Sequence, residues 1–431
     1  MMRLLWLSVI ALIAGAAAGF VGGAFRWVLF HADTLRATIS EWAHATPGGF
    51  VVPVLLTALA AAAAAAIVRL SPRSSGSGIQ DVEAVVRGEA EPPPLGVLPA
   101  RFIGGALAIG GGLVLGREGP TVHMAATIGA SAGRATRRSS DDIRVLQTAL
   151  SGAGLAVAFN APIGGALFVF EEVTKRIQLR TVVATLASVG AAVACARLIT
   201  GDRPDFTVVE PASIPLFALP LVLIFGVLIG AVGSAYSFLV IGFLDIARRL
   251  RQIPATVRAA CIGAIVGGAL FLDPLTVGGG DALTQAILTG HAIALPVLVM
   301  YIVIRFIAGP LSYAAGTPGG LFAPLLALGA LFGLVFSRLV DILVPSFAAS
   351  LGPNGSRDFA ITMAVVGMSA LFAAVVRAPL TGIALIIEMT AITSASIPMI
   401  LAAVAAVIMA TALRSQPVYE SLRHLMIDGK P

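Results

Sequence analysis

The chain has 431 residues, of which 58% are hydrophobic and only 12% are charged. Soluble domains carry about 45–50% apolar and about 25% charged residues, so this composition excludes a soluble globular protein. The mean hydropathy of +0.97 excludes a disordered chain, which needs polarity. We therefore expect a multi-pass membrane protein.

Basic residues outnumber acidic ones, 28 to 22, which gives a net charge of +6. They stand singly or in small clusters between apolar runs, as in the cytoplasmic loops that orient a membrane protein. This spacing disfavours a nucleic-acid-binding surface, so we expect no nucleic-acid partner. The cysteines, Cys195 and Cys261, lie within apolar runs and supply neither a disulfide framework nor a metal motif. We expect no metal and no cofactor.

The first apolar stretch, Leu4–Phe25, begins like a signal peptide, with Arg3 before it and three alanines at 16–18. It stays free of charge for 22 residues, however, and many similar stretches follow. A retained first membrane helix is therefore the better interpretation.

Charge-free stretches, taken in chain order, predict the membrane architecture. Crossing a ~30 Å hydrocarbon core takes about 20 apolar residues in a helix. Eight stretches are long enough, or nearly so: Leu4–Phe25, Trp42–Val68, Val145–Phe170, Pro211–Leu244, Ala282–Ile304, Phe306–Ser337, Phe359–Val376 and Met389–Leu413. Only 18 residues follow Leu413, so we expect a short cytoplasmic helix at the C-terminus and no regulatory soluble domain.

Five further charge-free stretches are too short to cross upright and predict half-helices or tilted segments. The ends of half-helices expose unpaired N–H and C=O groups that lipid cannot satisfy, so they persist only where they line a cavity or bind a ligand. Gly/Pro-rich breaks of this kind are typical of an ion transporter or channel. The five stretches are Phe102–Gly116, Gly119–Gly133, Thr181–Ala196, Ala259–Leu272 and Ala378–Ile387.

Two pairs of motifs repeat along the chain. Residues 161–171 match residues 378–388 at an offset of 217. The Gly…Pro…Gly pattern of 116–129 matches that of 320–333 at an offset of 204. Two matches in the same order indicate an internal duplication, with one half in residues 1–203 and the other in 204–431. Membrane duplications often bind their substrate between the repeats.

Glu118 stands between two apolar runs, in Gly-Arg-Glu-Gly-Pro, and is therefore expected at membrane depth. Pro120 suits the first turn of a helix, so Glu118 would lie near a helix N-terminus, where negative charge is favoured. A simple capping role would explain it. An ionisable group within the bilayer is nonetheless a functional candidate, and its protonation would free the place for another anion.

Two further segments place hydrogen-bond donors before a helix. Ser77, in Gly-Ser-Gly, would either cap the helix or replace part of the hydration shell of an anion, and the sequence leaves these two roles equal. Residues 319–324, Gly-Gly-Leu-Phe-Ala-Pro, would bring backbone N–H groups close to a ligand, with Phe322 shielding it from water. The alternative for this segment is a tight helix–helix contact.

These motifs, in this order and at these distances, resemble the anion-pathway signatures of the CLC chloride channel and transporter family. The resemblance implies an all-α polytopic membrane protein with two inverted-topology repeats and many tilted and half-spanning helices. It also implies a homodimer with one pathway per subunit, located in a bacterial-type inner cell membrane. Such a protein carries ions and is not an enzyme. The matching residues are 76–80, 116–120, 159–162, 319–324, 377–382 and 388–390, within roughly 10–425.

The resemblance implies a role for individual residues. Glu118 would gate the pathway, occupying an anion site and accepting protons from outside. Tyr419 would coordinate a central anion with its hydroxyl, as Ser77 would, although Tyr419 alone would indicate only an interfacial aromatic. Backbone amides would complete the sites. The implied chloride-binding residues are Ser77, Arg117, Glu118, Leu321, Phe322 and Tyr419.

Glu172 bears on the choice between exchange and simple conduction. It follows an apolar run where the run meets Lys175 and Arg176, so an interfacial, salt-bridged carboxylate is one interpretation. The resemblance implies the inner proton-transfer site of proton-coupled exchangers, where family channels commonly have a non-acidic residue. With Glu118 as well, this predicts a H⁺/Cl⁻ antiporter. The alternative is a passive voltage- or pH-gated chloride channel.

One departure from the family pattern is Gln80, which stands where proline is usual. Proline at a first helical position is dispensable, so we expect little mechanistic change, and the intact Ser77 favours chloride over nitrate. The retained 76–78 and 116–120 motifs also disfavour the fluoride-selective branch. An intramembrane hydrolase would need Ser131 or Ser151 with His123, but no oxyanion-hole motif or third partner accompanies them.

Overall fold

The computed structural model describes residues 2–208, 210–351 and 354–428, and these residues are predominantly helical. Within these described ranges, eight helices are long and apolar enough to cross a membrane. Shorter apolar helices lie between them in the chain. The prediction of a multi-pass all-α membrane protein is therefore confirmed.

The first half of the described chain contains eight α-helices, one of which runs on into a π-helical turn at Val169–Val173. They are α1 (Met2–Ala45), α2 (Val51–Leu70), α3 (Ile79–Val86), α4 (Val97–Gly110), α5 (Glu118–Ala135), α6 (Ser140–Phe159), α7 (Pro162–Phe168) and α8 (Leu179–Thr200).

The second half of the described chain contains ten α-helices. They are α9 (Leu219–Arg249), α10 (Ala255–Leu272), α11 (Asp281–Leu288), α12 (Leu295–Ala314), α13 (Phe322–Leu343), α14 (Pro345–Ser350), α15 (Gly355–Val376), α16 (Pro379–Thr390), α17 (Ser396–Ala412) and α18 (Val418–Asp428).

Several helix boundaries differ from those predicted by charge-free stretches. The stretch Thr181–Ala196 was expected to be too short to span, yet α8 has 22 residues because Arg180 and Arg197 lie within its ends. Long arginine side chains reach toward water from helix ends, so they do not stop a spanning helix. A charge-free run therefore underestimates the length of a membrane helix.

The stretch Val145–Phe170 was expected to span as one helix and is instead broken. Asn160 adopts the left-handed conformation (φ 50°) after α6, and Pro162 then begins α7. A left-handed residue ends a helix, and proline is favoured at the first position of a new one. The stretch Ala282–Ile304 divides into α11 and α12 in a similar way, after Gly290 (φ 77°).

Glycines let the central helices touch through their backbones. A Cβ atom on Gly333 of α13 would lie 1.9 Å from the Met363 carbonyl oxygen of α15. One on Gly129 of α5 would lie 2.6 Å from the Leu146 carbonyl oxygen of α6. Small residues permit this close packing in membranes. The contact between α13 and α15 is deeply buried, since 94% of an 18-residue apolar segment of α15 lies inside the protein.

Two loops of similar conformation precede α3 and α11. Gly76 and Gly78 have φ of 61° and 84°, and Gly278 and Gly280 have φ of 64° and 97°. A fully buried arginine lies under each loop and donates to its carbonyl oxygens: Arg101 to Gly76, and Arg305 to Gly278. The two halves therefore share a loop supported by a buried cation.

Candidate functional site

The N-termini of α5 and α13 meet inside the protein. The Gly116 and Gly320 backbones exchange two hydrogen bonds, each with an N···O distance of 2.8 Å. Gly76 and Thr317 form a neighbouring backbone contact, with Gly76 N donating to Thr317 O at 3.2 Å. These short extended segments hold together the loops before three helices, α3, α5 and α13, although the loops lie some 40 to 240 positions apart in the sequence.

The Glu118 carboxylate occupies the space between the two helix starts and is fully buried. Its Oε1 accepts a hydrogen bond of 2.7 Å from the backbone N–H of Phe322. A Cβ atom on either Gly116 or Gly320 would lie 2.0 Å from a carboxylate oxygen, so glycine at both places leaves room for the carboxylate in this position. Helix N-termini favour a negative charge, so the carboxylate lies where negative charge is stabilised.

One oxygen of this carboxylate stays unsatisfied: Glu118 Oε2 has no hydrogen-bond partner among the described residues. A buried polar atom without a partner is costly. Among the described residues, the hydrogen bond found for the carboxylate is therefore made through Oε1, which is compatible with its displacement.

Two hydroxyls lie near this carboxylate without hydrogen bonds of their own. Ser77 Oγ and Tyr419 Oη are fully buried and unpartnered within the described ranges. Tyr419 faces Ser77, Glu118 and the Leu321 backbone, and Ser77 packs on Gly119 at the start of α5. Burial of such groups without a partner is unfavourable, so both hydroxyls are available to donate to a bound anion.

Phe322 carries three aromatic neighbours around this region. Its ring lies 4.6 Å from that of Phe372, 5.3 Å from that of Tyr419 and 6.1 Å from that of Phe168, all edge-to-face. The rings exclude water from around Glu118. In such a surrounding, backbone N–H groups and hydroxyls interact more strongly with a charge than they do in water.

Arg117 directs its side chain away from the hydroxyl pair. Its guanidinium donates to Asp205 at 2.8 Å, to Asp281 at 3.3 Å and to the Ala158 carbonyl oxygen at 2.8 Å. Arg26 binds the other oxygen of Asp205 at 2.5 Å. The guanidinium thus belongs to a separate ion-pair cluster, and only the backbone of Arg117 lies beside the carboxylate of Glu118.

Glu172 lies in a second cluster, on the π-helical turn that follows α7. It is 2% exposed, and its carboxyl contacts that of Glu83 on α3, which is also 2% exposed. Lys175 lies near both carboxyls. Phe168, one turn before Glu172, meets Phe322 edge-to-face, so an aromatic pair separates the two carboxylate clusters.

A cavity of about 580 Å³ opens beside Ser77. Its wall includes Gly76, Gln80, Arg101 and Tyr313. The Tyr313 hydroxyl accepts a hydrogen bond of 3.2 Å from Ser77 N. The cavity therefore connects the outside of the protein with the loop that carries Ser77, and Gln80 faces it in place of the expected proline.

The structure also brings in residues that the sequence did not single out. Glu83 is five positions after Gly78, on one short helix, but nothing in its neighbourhood indicates a contact with Glu172, 89 positions away. Its only local signal is a carboxylate in the otherwise apolar Val82–Val86 segment. Arg101 likewise stands alone before an apolar run, and only the fold reveals the loop that it supports.

The structure does not pair His123 with either serine of the hydrolase alternative. His123 Nε2 lies 2.9 Å from Asp81 Oδ2, and Asp81 is also bound by Arg73. The Ser151 hydroxyl donates to the Thr148 carbonyl oxygen at 2.6 Å, and that of Ser131 accepts from Arg134. The histidine is thus occupied by a buried carboxylate, and both serines have other partners.

Comparison with known proteins gives concordant matches. The family model described as "Voltage gated chloride channel" matches residues 59–411. A protein named H(+)/Cl(-) exchange transporter ClcA from Vibrio parahaemolyticus is 36% identical over 430 residues, covering 96% of this chain and 89% of the relative. The protein of the same name from Vibrio campbellii is 36% identical over 428 residues, covering 96% and 88%.

Solved structures resemble the whole fold. A slow cyanobacterial Cl⁻/H⁺ antiporter superposes with a TM-score of 0.91 at 28% identity, covering 98% of both chains. A CLC-type fluoride/proton antiporter has a TM-score of 0.78 at 19% identity and covers 97% of this chain and 98% of its own. At that identity the second likeness concerns the fold alone.

Proposed function

This chain belongs to the voltage-gated chloride channel family, and from that premise we propose that it is a proton-coupled chloride antiporter of the cell membrane. The observation that carries the proposal is the buried Glu118 carboxylate, which binds a helix N-terminus beside two unpartnered hydroxyls. The relatives named H(+)/Cl(-) exchange transporters, about 36% identical over nearly the whole chain, support it.

Coupling would follow from one group that serves as gate and proton carrier. While charged, Glu118 takes the anion place at the start of α13 and accepts the Phe322 N–H. When protonated, it no longer competes for those donors, and chloride can replace it. Helix N-termini and hydroxyls bind a dehydrated anion without a full opposing charge, so the ion can also leave.

Chloride coordination in this proposal uses Ser77, Tyr419 and backbone amides near Leu321, Phe322 and Glu118. The two hydroxyls would donate to the central anion, which would satisfy both of the buried atoms that now lack a partner. Arg117 would contribute its backbone only, since its guanidinium binds Asp205 and Asp281.

Glu172 would pass protons between the inner solution and Glu118. It is buried and lies against Glu83, and Lys175 lies near both carboxyls. Phe168 and Phe322 separate it from Glu118, so the proton would need water or side-chain movement to pass between the two clusters. A passive channel would need no such second carboxylate, which favours exchange.

The two halves, residues 1–203 and 204–431, would descend from one duplicated unit. The glycine loops before α3 and α11, each with a buried arginine beneath it, support this division. So does the reciprocal pairing of Gly116 with Gly320. The anion place would then lie between the repeats, where two equivalent helix starts converge.

A homodimer, with one pathway in each subunit, would cover the surface formed by α7 and α16. Glu171 and Glu388 are only partly buried on this surface. The 12 residues of α16 give a length of about 18 Å at 1.5 Å per residue, which is well short of the bilayer core. Carboxylates at this depth are too costly to face lipid, so a second copy is the favoured cover.

The proposal is tested by measuring chloride and proton fluxes together in liposomes that contain the purified protein. An imposed chloride gradient should drive protons uphill, against their own gradient, at a fixed ratio to chloride. Chloride flux without proton movement at every gradient would identify a passive channel instead. Protein-free liposomes and a Glu118→Ala protein supply the controls.

A further inference from the structure

A second cavity, of about 600 Å³, opens where four helix ends converge: the C-termini of α2, α9 and α12 and the N-terminus of α10. Helices α2 and α10 run antiparallel, since Gly263 packs on Thr57 and Gly267 on Val54. The end of α2 therefore lies beside the start of α10, and both helices are candidate membrane spans. The cavity consequently lies at one surface of the membrane.

Four arginines line this cavity: Arg69, Arg248, Arg251 and Arg258. Its described lining includes no aspartate or glutamate, and none of the four makes a salt bridge with a described residue. Four cations around one cavity repel each other, so an anionic occupant would be favoured there.

Helix dipoles explain only part of this cluster. Arg69 and Arg248 lie in the last turns of α2 and α9, where a cation is favoured. Arg258 lies in the first turn of α10, where the dipole disfavours a cation. Its guanidinium donates to the Ala247 carbonyl oxygen of α9, which holds it toward the other three.

The same cavity has an apolar side. Ala65 and Val68 of α2, Leu244 of α9 and Ala255 of α10 line it together with the arginines. A soluble phosphate would use the cations alone, whereas a phospholipid offers a phosphodiester to the arginines and its acyl chains to the apolar residues. Basic pockets between membrane helices bind anionic lipid headgroups for this reason.

We propose that this cavity binds an anionic phospholipid, with its phosphate between Arg251 and Arg258. This goes beyond the transport proposed above and does not depend on it. Arg69 and Arg248 complete the cation ring, and arginine suits this role because its planar fork matches phosphate oxygens.

The bound lipid would lie next to the cavity of about 580 Å³ that opens beside Ser77. Pro72, Ser75, Leu244 and Arg248 line both this cavity and the one that opens at the Ser77 loop. Arg248 also donates to the Leu425 carbonyl oxygen at 2.5 Å, on the helix α18 that carries Tyr419. A headgroup phosphate would compete with Leu425 for this arginine, so lipid occupancy would alter the contact that holds α18.

The test is native mass spectrometry of the delipidated protein after titration with phosphatidylglycerol or with phosphatidylcholine. We expect tight adducts with phosphatidylglycerol only. Arg251→Gln and Arg258→Gln should each weaken the tightest adduct roughly five-fold, and the double variant more, given the usual contribution of one arginine to anionic lipid binding. Arg258→Lys keeps the charge but lacks the planar fork, so it should recover only part of the binding.

The matched control is Arg249→Gln, which removes an exposed arginine next to Arg248 that does not line the cavity. Equal loss of lipid in this control, or equal binding of both lipids, would overturn the proposal. Displacement of phosphatidylglycerol by millimolar inorganic phosphate alone would assign the cavity to a soluble anion. Because the readout is lipid mass, failure here leaves the flux test of antiport unaffected.

Discussion

Glu171 caps the N-terminus of α16, and Glu388 in α16 caps the N-terminus of α7 in return. Glu171, at the end of the α7 segment, accepts the backbone N–H groups of Leu380 and Thr381 at 3.0 and 2.7 Å, in the first turn of α16. Glu388, near the end of α16, accepts those of Ile163 and Gly164 at 2.9 and 2.8 Å, in the first turn of α7. The free N–H groups at the start of each of these two short antiparallel helices are thus hydrogen-bonded by a carboxylate from the end of the other helix segment.

Glu388→Gln should destabilise the protein, because a neutral amide cannot satisfy two N–H groups at a helix N-terminus as a carboxylate does. Loss of such a cap costs about 1 kcal/mol, and it should lower the thermal unfolding midpoint in detergent. Glu171→Gln should act similarly. Glu41→Gln, at an exposed position of α1, is the control, and an equal drop there would refute the cap.

Glu118→Ala should abolish proton movement while chloride still flows. The substitution removes the group that binds the Phe322 N–H in place of chloride and that can carry a proton there. Proton flux in liposomes should fall to that of protein-free vesicles. Proton transport that persists in this variant would contradict the assignment of Glu118 as the proton-carrying gate.

Glu172→Gln should leave chloride transport intact and stop proton transport, because the amide keeps the shape but cannot exchange a proton. Simultaneous flux measurements give the ratio of the two ions. Glu172→Asp, which retains the acid, should restore part of the coupling. The control is Glu210→Gln, which changes a carboxylate that caps the distant Thr393–Ser394 turn and should leave the ratio of protons to chloride unchanged. An unaltered ratio in Glu172→Gln would contradict the proton-transfer role of Glu172.

Tyr419→Phe should weaken chloride binding, since it removes one of the two unpartnered hydroxyls near Glu118. A hydrogen bond to a charged group contributes about 1.5–3 kcal/mol, which corresponds to a dissociation constant roughly ten-fold or more higher. Calorimetric titration with chloride measures it. Tyr301→Phe, whose hydroxyl binds Asp273 instead, should bind chloride normally, and equal affinities for both variants would argue against coordination by Tyr419.

Gly333→Ala should destabilise the α13–α15 contact. The new Cβ would lie 1.9 Å from the Met363 carbonyl oxygen, and overpacking of this kind typically costs about 1–3 kcal/mol. Gly268→Ala in α10 has no atom within 4 Å of the new Cβ and should be neutral or slightly stabilising. Thermal unfolding in detergent compares the two, and a tolerated Gly333→Ala would show that the helices can separate without loss.

The sequence predicts the two helix starts that meet at the candidate site, and the structure confirms them at Glu118 and Phe322. Glu118 and the 319–324 segment each stand beside a glycine or proline break before an apolar run, and local rules for helix starts suffice to predict free N–H groups there. Boundaries were less predictable, as Thr181–Ala196 shows, because charged residues can lie inside a membrane helix when its ends reach water.

By itself the sequence determined that the chain lives in a membrane, that its helices are interrupted, and that a carboxylate stands at one of the interruptions. Only the tertiary structure decided which groups meet. Glu118 finds the Phe322 N–H 204 positions away, Glu171 finds the start of α16, and Arg117 turns to Asp205. Hydrophobic periodicity carries information over a few turns of one helix, whereas these contacts arise from packing between distant segments, which no local pattern encodes.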